Sequence, residues 1–598
     1  MATTMADTSK AEVSKEPEGP PILVPEGFSL YTENNAHILI SSKDEAFLNP
    51  VQEFNRDMSV ACIRVWSEEV DREKEDKFRK AEERRAKRLE QAAWEKPKAQ
   101  GEEETSHSAD TTGNVSTMDL DTVENTVKPR VYHPHKLVLL EALSATGLRS
   151  IRYAKEIPLV RYRQRLITIR DCCDERNVEI NGLGPSEEET TAPDSQRTVK
   201  LNPGKVRVHE DDACALMYNH RTEKARVDVV DLDPYGTAAP FIDAAVQAIN
   251  IGGLLCVTCT DMSVLATTNY SEKCFSNYGG MPVKAEYSHE TALRLVLNTI
   301  STSASRYGRY IEPLLSLSID FYVRIFVRIH AAPVEVKRAA SKTSIYYVCS
   351  GCASFHEQKF GRVVERTNEQ SGAVNLQYKT AAGPPVNSAC PECGYSMHVA
   401  GPMWSGPLHN SDFVAKVVEH VDRNAKNYGT STRMKGMLTV AQEELDVPFY
   451  FTPGKVAGTF HCSTPALGDV ASALLNAGYK VSRSHASPGS LKTTASRDVI
   501  HDVFRAWAQR HPVRMDRISE TAPAAKLLSK EIKITHQLTP TPSRTPIDFT
   551  KHPESVTRAS DVRIVRYQQN PAPNWGPGSR AGGKRKRAKS DEGESDGR

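Results

Sequence analysis

Four apolar runs in the first half of the chain each lead into an acidic residue or a glycine-containing turn. Residues 136–143 precede Ser-Ala-Thr-Gly at 144–147, residues 166–169 precede Asp171, residues 206–209 precede Asp211 and Asp212, and residues 227–230 precede Asp231. Runs of this kind predict buried strands, and the first turn opens onto a helix-like segment at 148–152. Because ligands in open α/β sheets bind beyond the carboxyl ends of the strands, the pattern predicts an α/β fold with its site at that edge.

The last of these runs continues into Asp-Leu-Asp-Pro-Tyr-Gly at residues 231–236. The amino group of a purine or pyrimidine is a poor nucleophile because its lone pair is delocalised into the ring. The Asp233 carboxylate and the Pro234 carbonyl can accept hydrogen bonds from such a group while Tyr235 stacks on the base. Positioning would then be the main catalytic contribution. The same residues are also typical of an ordinary chain turn, so the motif alone leaves both interpretations open.

The acids after the second and third runs indicate a nucleoside cofactor. An acid after the second strand can bind ribose hydroxyls, and an acid after the third can accept a hydrogen bond from an adenine amino group. S-adenosylmethionine offers both groups. Each aspartate taken singly also suits a helix N-cap, and the turn at 144–147 is not a GxGxxG fingerprint. Their common register with four strands favours the cofactor.

These segments together resemble the tRNA guanine-26 N2-dimethyltransferase family. The resemblance also rests on Asn-Pro-Val-Gln-Glu-Phe-Asn-Arg-Asp at 49–57, Trp-Ser-Gly-Pro-Leu at 404–408, Ser-His-Ala at 484–486 and Leu-Lys-Thr at 491–493. It implies a Rossmann-like methyltransferase domain followed by an α+β C-terminal domain. It further implies methyl transfer from S-adenosylmethionine to the exocyclic N2 amine of one guanine in tRNA, usually twice.

The resemblance also implies roles for individual residues. The catalytic turn is Asp233, Pro234 and Tyr235, and the cofactor contacts are Arg56, Arg149, Asp171, Asp212 and Ala213. One departure concerns the second strand, after which family members usually have Asn-Asp and a full helix. Here residues 170–175 run almost at once into 176–178, which resemble the end of that helix. Asp171 and Asp174 therefore both stay candidates for the ribose-binding acid.

Two Cys-x-x-Cys pairs, Cys349 with Cys352 and Cys390 with Cys393, indicate a metal centre. Together they supply four thiolates, the number that a closed tetrahedral zinc site requires. The long excursion between the pairs is tolerable because the entropy cost of loop closure grows slowly with length. The pattern predicts a structural zinc without an open coordination position. A redox pair and unliganded buried cysteines are the alternatives.

Composition limits the class of protein. The chain has 598 residues, of which 39% are hydrophobic and 25% charged. Since single cores rarely exceed about 250–300 residues, at least two cores are expected. The net charge of +2 neither favours nor excludes a nucleic-acid partner. Twelve cysteines without an apolar leader predict a reducing compartment, and no stretch is apolar enough to span a bilayer.

Changes in composition along the chain divide it into four regions, and the resemblance implies the functions of the two folded ones. We expect a disordered N-terminus at 1–20, a methyltransferase domain at 21–345, a zinc-containing tRNA-binding domain at 346–540 and a basic, largely disordered tail at 541–598. The methyltransferase domain carries an insertion at about 71–127, in which the charged residues 71–96 predict a solvated helix and residues 97–127 a flexible segment. Near its end, residues 315–329 alternate as half-buried strands do. Leu315 and Phe321 belong to the apolar face, and Ser316 and Arg324 to the polar, solvated face.

The Lys/Arg cluster at residues 584–589 favours nuclear import, with a phosphate-binding arm or solvated charge as alternatives. The N-terminus carries Asp7, Glu12, Glu16 and Glu18, which does not support a mitochondrial transit peptide. Two other functions stay open on the residues alone. One is an amino-methyltransferase acting on adenine or cytosine of DNA, and the other is a non-catalytic, zinc-stabilised RNA-binding protein. No protein partner can be inferred.

Overall fold

The computed structural model of the chain describes residues 22–41, 48, 50–95, 130–160, 164–168, 173–191, 197–202, 204–533 and 547–555. The predictions for residues 1–20, for the segment 97–127, for Asp171 and for the basic cluster at 584–589 fall outside these ranges. None of the helices within them combines the length and the apolar composition needed to cross a membrane.

The described elements alternate between strands and helices in the first half of the chain. The strands are β1 (Phe28–Glu33), β2 (Ala36–Ser41), β3 (Leu139–Ser144), β4 (Gln164–Thr168), β5 (Ser186–Thr191), β6 (Arg197–Asn202), β7 (Val206–Glu210), β8 (Val227–Leu232), β9 (Ile249–Cys259), β10 (Tyr310–Ile319), β11 (Tyr322–His330), β12 (Thr343–Cys349), β13 (Phe355–Lys359), β14 (Gly361–Thr367), β15 (Val374–Thr380), β16 (Met397–Trp404), β17 (Val481–Arg483) and β18 (Leu491–Thr493). The helices are α1 (Glu53–Glu95), α2 (Leu148–Glu156), α3 (Cys173–Ile180), α4 (Ala213–Asn219), α5 (Ala239–Ala248), α6 (Met262–Leu265), α7 (Ser271–Tyr278), α8 (Ser288–Arg306), α9 (Pro333–Lys337), α10 (Ser411–Arg423), α11 (Ser431–Glu443), α12 (Pro453–Phe460), α13 (Leu467–Asn476), α14 (Arg497–Arg510) and α15 (Pro523–Leu528).

A seven-stranded sheet organises the first half of the chain in the order β10-β11-β9-β8-β3-β4-β7. Strands β3, β4, β7, β8 and β9 are parallel, while β11 runs antiparallel to β9 and β10 antiparallel to β11. The chain proceeds outward from β3 in one direction through β4 and β7, and in the other through β8 and β9. The strand order therefore reverses between β3 and β8, which is where open α/β sheets bind ligands. The predicted Rossmann-like α/β fold is confirmed.

The half-buried alternation expected for residues 315–329 is wrong. Both faces of β10 and β11 are covered, because their apolar side chains contribute to two separate core clusters on opposite sides of the sheet. Ser316 and Arg324 of the supposed polar face are fully buried. Phe321 of the supposed apolar face lies in the turn between the two strands and is 78% exposed. Polarity in this hairpin marks internal polar contacts and not a solvated face.

Helix α1 joins the two halves of the molecule. Its first turns are buried, and Phe54, Met58 and Trp66 share a core cluster with Phe413 and Met434 of helices α10 and α11. From residue 71 to residue 88 its side chains are largely exposed, and the helix extends to Glu95, which confirms the predicted solvated helix. The C-terminal half thus packs directly onto the helix that covers the sheet.

The C-terminal half also covers the edge strand β10. The carbonyl of Leu314 accepts a hydrogen bond from the Asn410 amide (3.0 Å), and the amides of Ser316 and Ser318 donate to His409 Nδ1 (3.3 Å) and His485 Nε2 (3.2 Å). An uncovered edge strand is a template for pairing with other chains. The two histidines and the asparagine satisfy this edge without adding a strand.

His409 and His485 converge on Glu444, and the three potential ligand atoms lie within 4.8 Å of one another. His485 Nδ1 is 2.6 Å from Glu444 Oε2, and His409 Nε2 is 3.6 Å from the same oxygen. Since the other nitrogen of each ring accepts from the backbone of β10, the nitrogen facing Glu444 carries the proton. This assignment leaves no lone pair for a metal ion. The cluster is a clamp on β10 in which His485 hydrogen-bonds to Glu444, while His409 only approaches that carboxylate.

Candidate active site

The Asp-Pro-Tyr turn follows β8 at the switch point of the sheet. Gly236 has φ +87°, a backbone conformation that favours glycine, and its amide donates to Thr260 Oγ1 at 2.8 Å. The Thr260 amide returns a hydrogen bond to the Gly236 carbonyl at 2.9 Å. These bonds fix the turn against the end of β9. Tyr235 is 84% exposed at the tip, so its ring is free to stack on a ligand.

Asp233 is oriented by Arg149 of helix α2. The Arg149 NH2 group donates to Asp233 Oδ2, while its NH1 group donates to Ser59 Oγ at 3.1 Å. Arg149 is almost fully buried, whereas the Asp233 side chain is 22% exposed. The guanidinium therefore holds one carboxylate oxygen from the buried side of the turn. The other oxygen is available to a hydrogen-bond donor at the edge of the sheet.

A buried ionic network lies beneath this pair. Arg324 of β11 donates through NH1 to Asp231 Oδ1 (2.7 Å) and through NH2 to Ser59 Oγ (2.8 Å). Tyr153 donates its hydroxyl to Asp231 Oδ2 at 2.5 Å, and Arg149 NH1 lies 3.6 Å from the same oxygen. Burial alone would raise the pKa of Asp231, but Arg324 and Arg149 hold it below its usual value. Asp231 thus stays ionised and anchors both arginines.

The turn between β3 and α2 forms the neighbouring wall of the site. Gly147 caps α2 with φ +74°, and its amide donates to Ser144 Oγ at 3.1 Å. Asn177 of α3 donates to the Thr146 carbonyl at 2.9 Å, which fixes the turn from its other side. No side chain caps the N-terminus of α2. Its first amides can therefore receive an anionic group such as a carboxylate.

Asp212 and Ala213 lie where β7 meets α4. Asp212 is the N-cap of the helix and accepts from the Ala215 amide through Oδ1 at 2.8 Å. Its second carboxylate oxygen is not used by this cap, and Ala213 begins the helix with a fully buried side chain. An adenine ring could donate its amino group to Asp212 and accept from the Ala213 amide. The cap and the predicted cofactor contact are compatible, because they use different oxygens.

The remaining cofactor candidates stay predictions. Arg56 is buried and donates through Nε to Glu33 Oε1 at 2.6 Å, in a network where Arg152 also contacts Glu33 (2.8 Å) and Asp57 (2.7 Å). Arg56 therefore ties the β1–β2 hairpin to helix α1. Asp171 lies outside the described residues, and Asp174 lies within the short helix α3.

The four predicted cysteine ligands come together in one buried cluster. Their Sγ atoms lie within 4.8 Å of one another, with Cys349 and Cys393 at 3.3 Å and Cys352 and Cys390 at 3.7 Å. A tetrahedral zinc with Zn–S bonds of about 2.3 Å separates its sulfurs by about 3.8 Å. The amides of Gly351 and Glu392 point at Cys349 Sγ (3.3 Å) and Cys390 Sγ (3.4 Å), which suits thiolates. The donor set fits zinc.

Sequence reasoning missed the network of Ser59, Tyr153, Asp231 and Arg324. The alternation of residues 315–329 assigns Arg324 to a solvated strand face, but the residue is fully buried. Its position between the apolar Val323 and Ile325 was a usable signal of a buried charge. Asp231 was read only as the start of the turn motif. Ser59 and Tyr153 carry no local signal at all, because their role depends on contacts between distant elements.

The strand order and the acidic turn at the switch point define a Rossmann-like methyltransferase. Residues 27–505 match the family described as "TRM: N2,N2-dimethylguanosine tRNA methyltransferase". The chain belongs to this family.

Similar proteins span nearly the whole length. The chain is 42% identical to the "tRNA (guanine(26)-N(2))-dimethyltransferase" of Schizosaccharomyces pombe, over 92% of each chain. It is 38% identical to the "tRNA (guanine(26)-N(2))-dimethyltransferase, mitochondrial" of Saccharomyces cerevisiae, over 96% of each chain. Among solved structures, that of Trm1 from Pyrococcus horikoshii with S-adenosyl-L-methionine matches with a TM-score of 0.54 at 22% identity, covering 79% of this chain and 99% of that one. The structural match supports the fold.

Proposed function

We propose that this chain transfers methyl groups from S-adenosylmethionine to the N2 amine of guanine 26 in tRNA and forms N2,N2-dimethylguanosine. The observation that carries the proposal is the Asp233 carboxylate, held by Arg149 beside the exposed ring of Tyr235 at the switch point of a methyltransferase sheet. The relatives with 38–42% identity carry this activity in their names.

In the proposed mechanism the protein positions an extruded guanine and does little proton chemistry. The N2 amino group donates one hydrogen bond to Asp233 and another to the Pro234 carbonyl, while Tyr235 stacks on the base. S-adenosylmethionine supplies an electrophilic methyl group when bound. Holding both N–H groups directs the nitrogen lone pair away from the ring plane. The N2–CH3 bond would form as the sulfonium–methyl bond breaks, and the proton lost from N2 would pass to the Asp233 carboxylate or to water. After one methylation a single N–H remains, and either acceptor can hold it for a second transfer.

The cofactor is proposed to lie across the carboxyl ends of β3, β4 and β7. The first amides of α2, which no side chain caps, would receive its carboxylate, and Asp212 with Ala213 would bind its adenine. Arg56, Arg149 and Asp171 complete the proposed set, with Asp174 as the alternative ribose ligand. Since Arg149 already contacts Asp233, it would connect cofactor and base positions.

The four cysteines are proposed to hold a structural zinc ion. Four thiolates close the coordination sphere, so such an ion would take no part in methyl transfer. The basic cluster at residues 584–589 is proposed to direct nuclear import. A fusion of residues 541–598 to a fluorescent protein should concentrate in nuclei. Uniform distribution would contradict that assignment.

The decisive experiment is incubation of the full chain with labelled S-adenosylmethionine and unmodified tRNA, followed by nucleoside analysis. We expect N2,N2-dimethylguanosine with wild-type protein and none with Asp233→Ala. Both should bind S-adenosylmethionine by calorimetry. Asp422→Ala, which removes an exposed carboxylate paired with Lys435 at 2.9 Å, is the matched control and should retain activity.

Four outcomes would contradict the proposal. Methylation of duplex DNA but not of tRNA would indicate the adenine or cytosine enzyme. Absence of S-adenosylmethionine binding would indicate a non-catalytic RNA-binding protein. Full activity of Asp233→Ala would remove the turn from the mechanism, and a tRNA with adenine at position 26 that is methylated equally well would reject the proposed target.

A further inference from the structure

A cavity of about 520 Å³ lies at the surface of the C-terminal half, away from the turn at residues 233–235. It forms between residues 461–463, which directly follow α12, and residues 511–518, which directly follow α14 and include Arg514 and Arg517. His511 is placed by its ring contact with Trp507, whose centroid is 4.2 Å away. The cavity is therefore built by two separate chain segments.

The ionisable lining of this cavity is cationic or neutral. It contains two arginines and two histidines and no carboxylate. Burial raises the pKa of the Cys462 thiol to about 11, so this lining group adds no negative charge near neutral pH. Elsewhere in the molecule Arg149, Arg324 and Arg505 are each engaged by acids. Within the described part of the chain, neither Arg514 nor Arg517 has such a partner.

Two helix ends oppose this charge without cancelling it. The C-terminal ends of α12 and α14 each carry about half a negative charge. Within the lining, the two guanidinium charges exceed the opposing charge of the helix ends. Asp516 lies between the two arginines in the sequence but is exposed and does not line the cavity. Such a cavity attracts an anion, and two adjacent guanidinium forks suit phosphate geometry.

The exposure of the lining favours a polymer over a small ligand. His461, Ser463, His511, Arg514 and Arg517 are all exposed residues. Small-molecule sites usually enclose most of their ligand and are mainly apolar, whereas contacts to nucleic-acid backbones are open, polar and cationic. A phosphodiester chain can pass through an open cavity of this size.

We propose that Arg514 and Arg517 in this cavity bind backbone phosphates of the tRNA substrate, as an anchor separate from the base-binding turn. The proposal rests on the proposed function for the identity of the RNA. It assigns the contact to the segment that follows α14, and it predicts affinity without base specificity, because phosphate contacts position an RNA and do not read its sequence.

The test compares tRNA binding by the full chain and by Arg514→Gln/Arg517→Gln, using fluorescence anisotropy across a salt series. Each phosphate contact contributes about 0.7 to 0.9 to the slope of log K against log salt, so the double variant should lose about 1.4 to 1.8 of slope. At 0.1 M salt this corresponds to roughly 25- to 60-fold weaker binding. Arg362→Gln/Arg366→Gln removes two exposed arginines from β14 and is the matched control, with little change expected.

Unchanged slope and affinity in the double variant would overturn the proposal, as would an equal loss in the β14 control. A fall in the unfolding midpoint with intact tRNA binding would show that the arginines only compensate the helix ends. Calorimetric titration with inorganic phosphate is a further arm: tight phosphate binding that is lost in the variant without any effect on tRNA would indicate a small phosphorylated ligand instead. These readouts measure binding, so they stand even if methyl transfer to guanine 26 is not observed.

Discussion

Replacement of Arg324 by methionine tests the buried network beneath the active site. Arg324 and Asp231 are both 0% exposed, and the guanidinium also donates to Thr258 Oγ1 at 3.0 Å and Ser59 Oγ at 2.8 Å. Removing one member of a buried ion pair typically costs about 3–5 kcal/mol, because the other charge stays buried without compensation. Asp231 keeps Tyr153 and the more distant Arg149, so we expect a loss near the lower end, about 3 kcal/mol.

The loss should extend to catalysis through Arg149. Its NH1 group lies 3.6 Å from Asp231, and without Arg324 the carboxylate would draw this guanidinium away from Asp233. The turnover number should fall by at least about tenfold, equivalent to 1.4 kcal/mol, while the dissociation constant for S-adenosylmethionine changes less. The companion Asp231→Asn removes the stranded charge. Adding it to Arg324→Met should restore most of the stability.

The measurements are chemical denaturation and methyl-transfer kinetics on the two single variants and the double variant. Arg423→Met, which breaks an exposed pair with Glu419, is the control and should cost less than about 1 kcal/mol. If Arg324→Met proves as stable as wild type, or if the double variant is as unstable as the sum of the singles, the pair does not act as a coupled unit.

Three further predictions concern separate parts of the molecule. Cys352→Ser should lower the measured zinc content and the unfolding midpoint together, and elemental analysis showing no zinc in wild type would refute the assigned ion. Tyr235→Phe should preserve most activity. Tyr235→Ala should lose stacking and so reduce the stabilisation of the transition state by about 1–3 kcal/mol, which is measured as a fall in kcat/KM for tRNA. Burial, with the nearby His485 and Lys492, outweighs the opposing effect of Glu444 and lowers the pKa of His409 to about 4 from 6.5. The unfolded state therefore binds more protons between these values, and stability must fall as pH drops. Between pH 7 and pH 5, the free energy of unfolding measured by denaturation should fall by about 2 kcal/mol less in His409→Gln than in wild type. An equal fall in both proteins would show that His409 does not cause this pH dependence.

Local sequence patterns were sufficient to predict the parts of the site that are each built from one short segment. The turn at Asp233 and the pairs at Cys349 and Cys390 follow from spacing along the chain, and the structure places them as compact units. The four strands ending in acids or a glycine turn predicted the sheet, because burial on both faces demands continuous apolar runs.

Contacts between distant segments were not predictable in the same way. Arg324 lies 93 residues from Asp231, and its strand alternates like a half-exposed one. The helices covering both faces of β10 and β11 come from distant parts of the chain, so local periodicity could not show that the polar side chains face inward. His409 and His485 gave no spacing signal, since their partners are backbone amides of another element.

The clamp on β10 has a consequence for whether the two halves of such a protein can exist as separate chains. Here the backbone groups of the outermost strand are hydrogen-bonded by Asn410, His409 and His485. A gene truncated after the sheet would therefore encode a fragment with an open edge strand that self-associates. Separation of the two halves by recombination would expose this strand, and the fragment carrying the sheet would lose solubility.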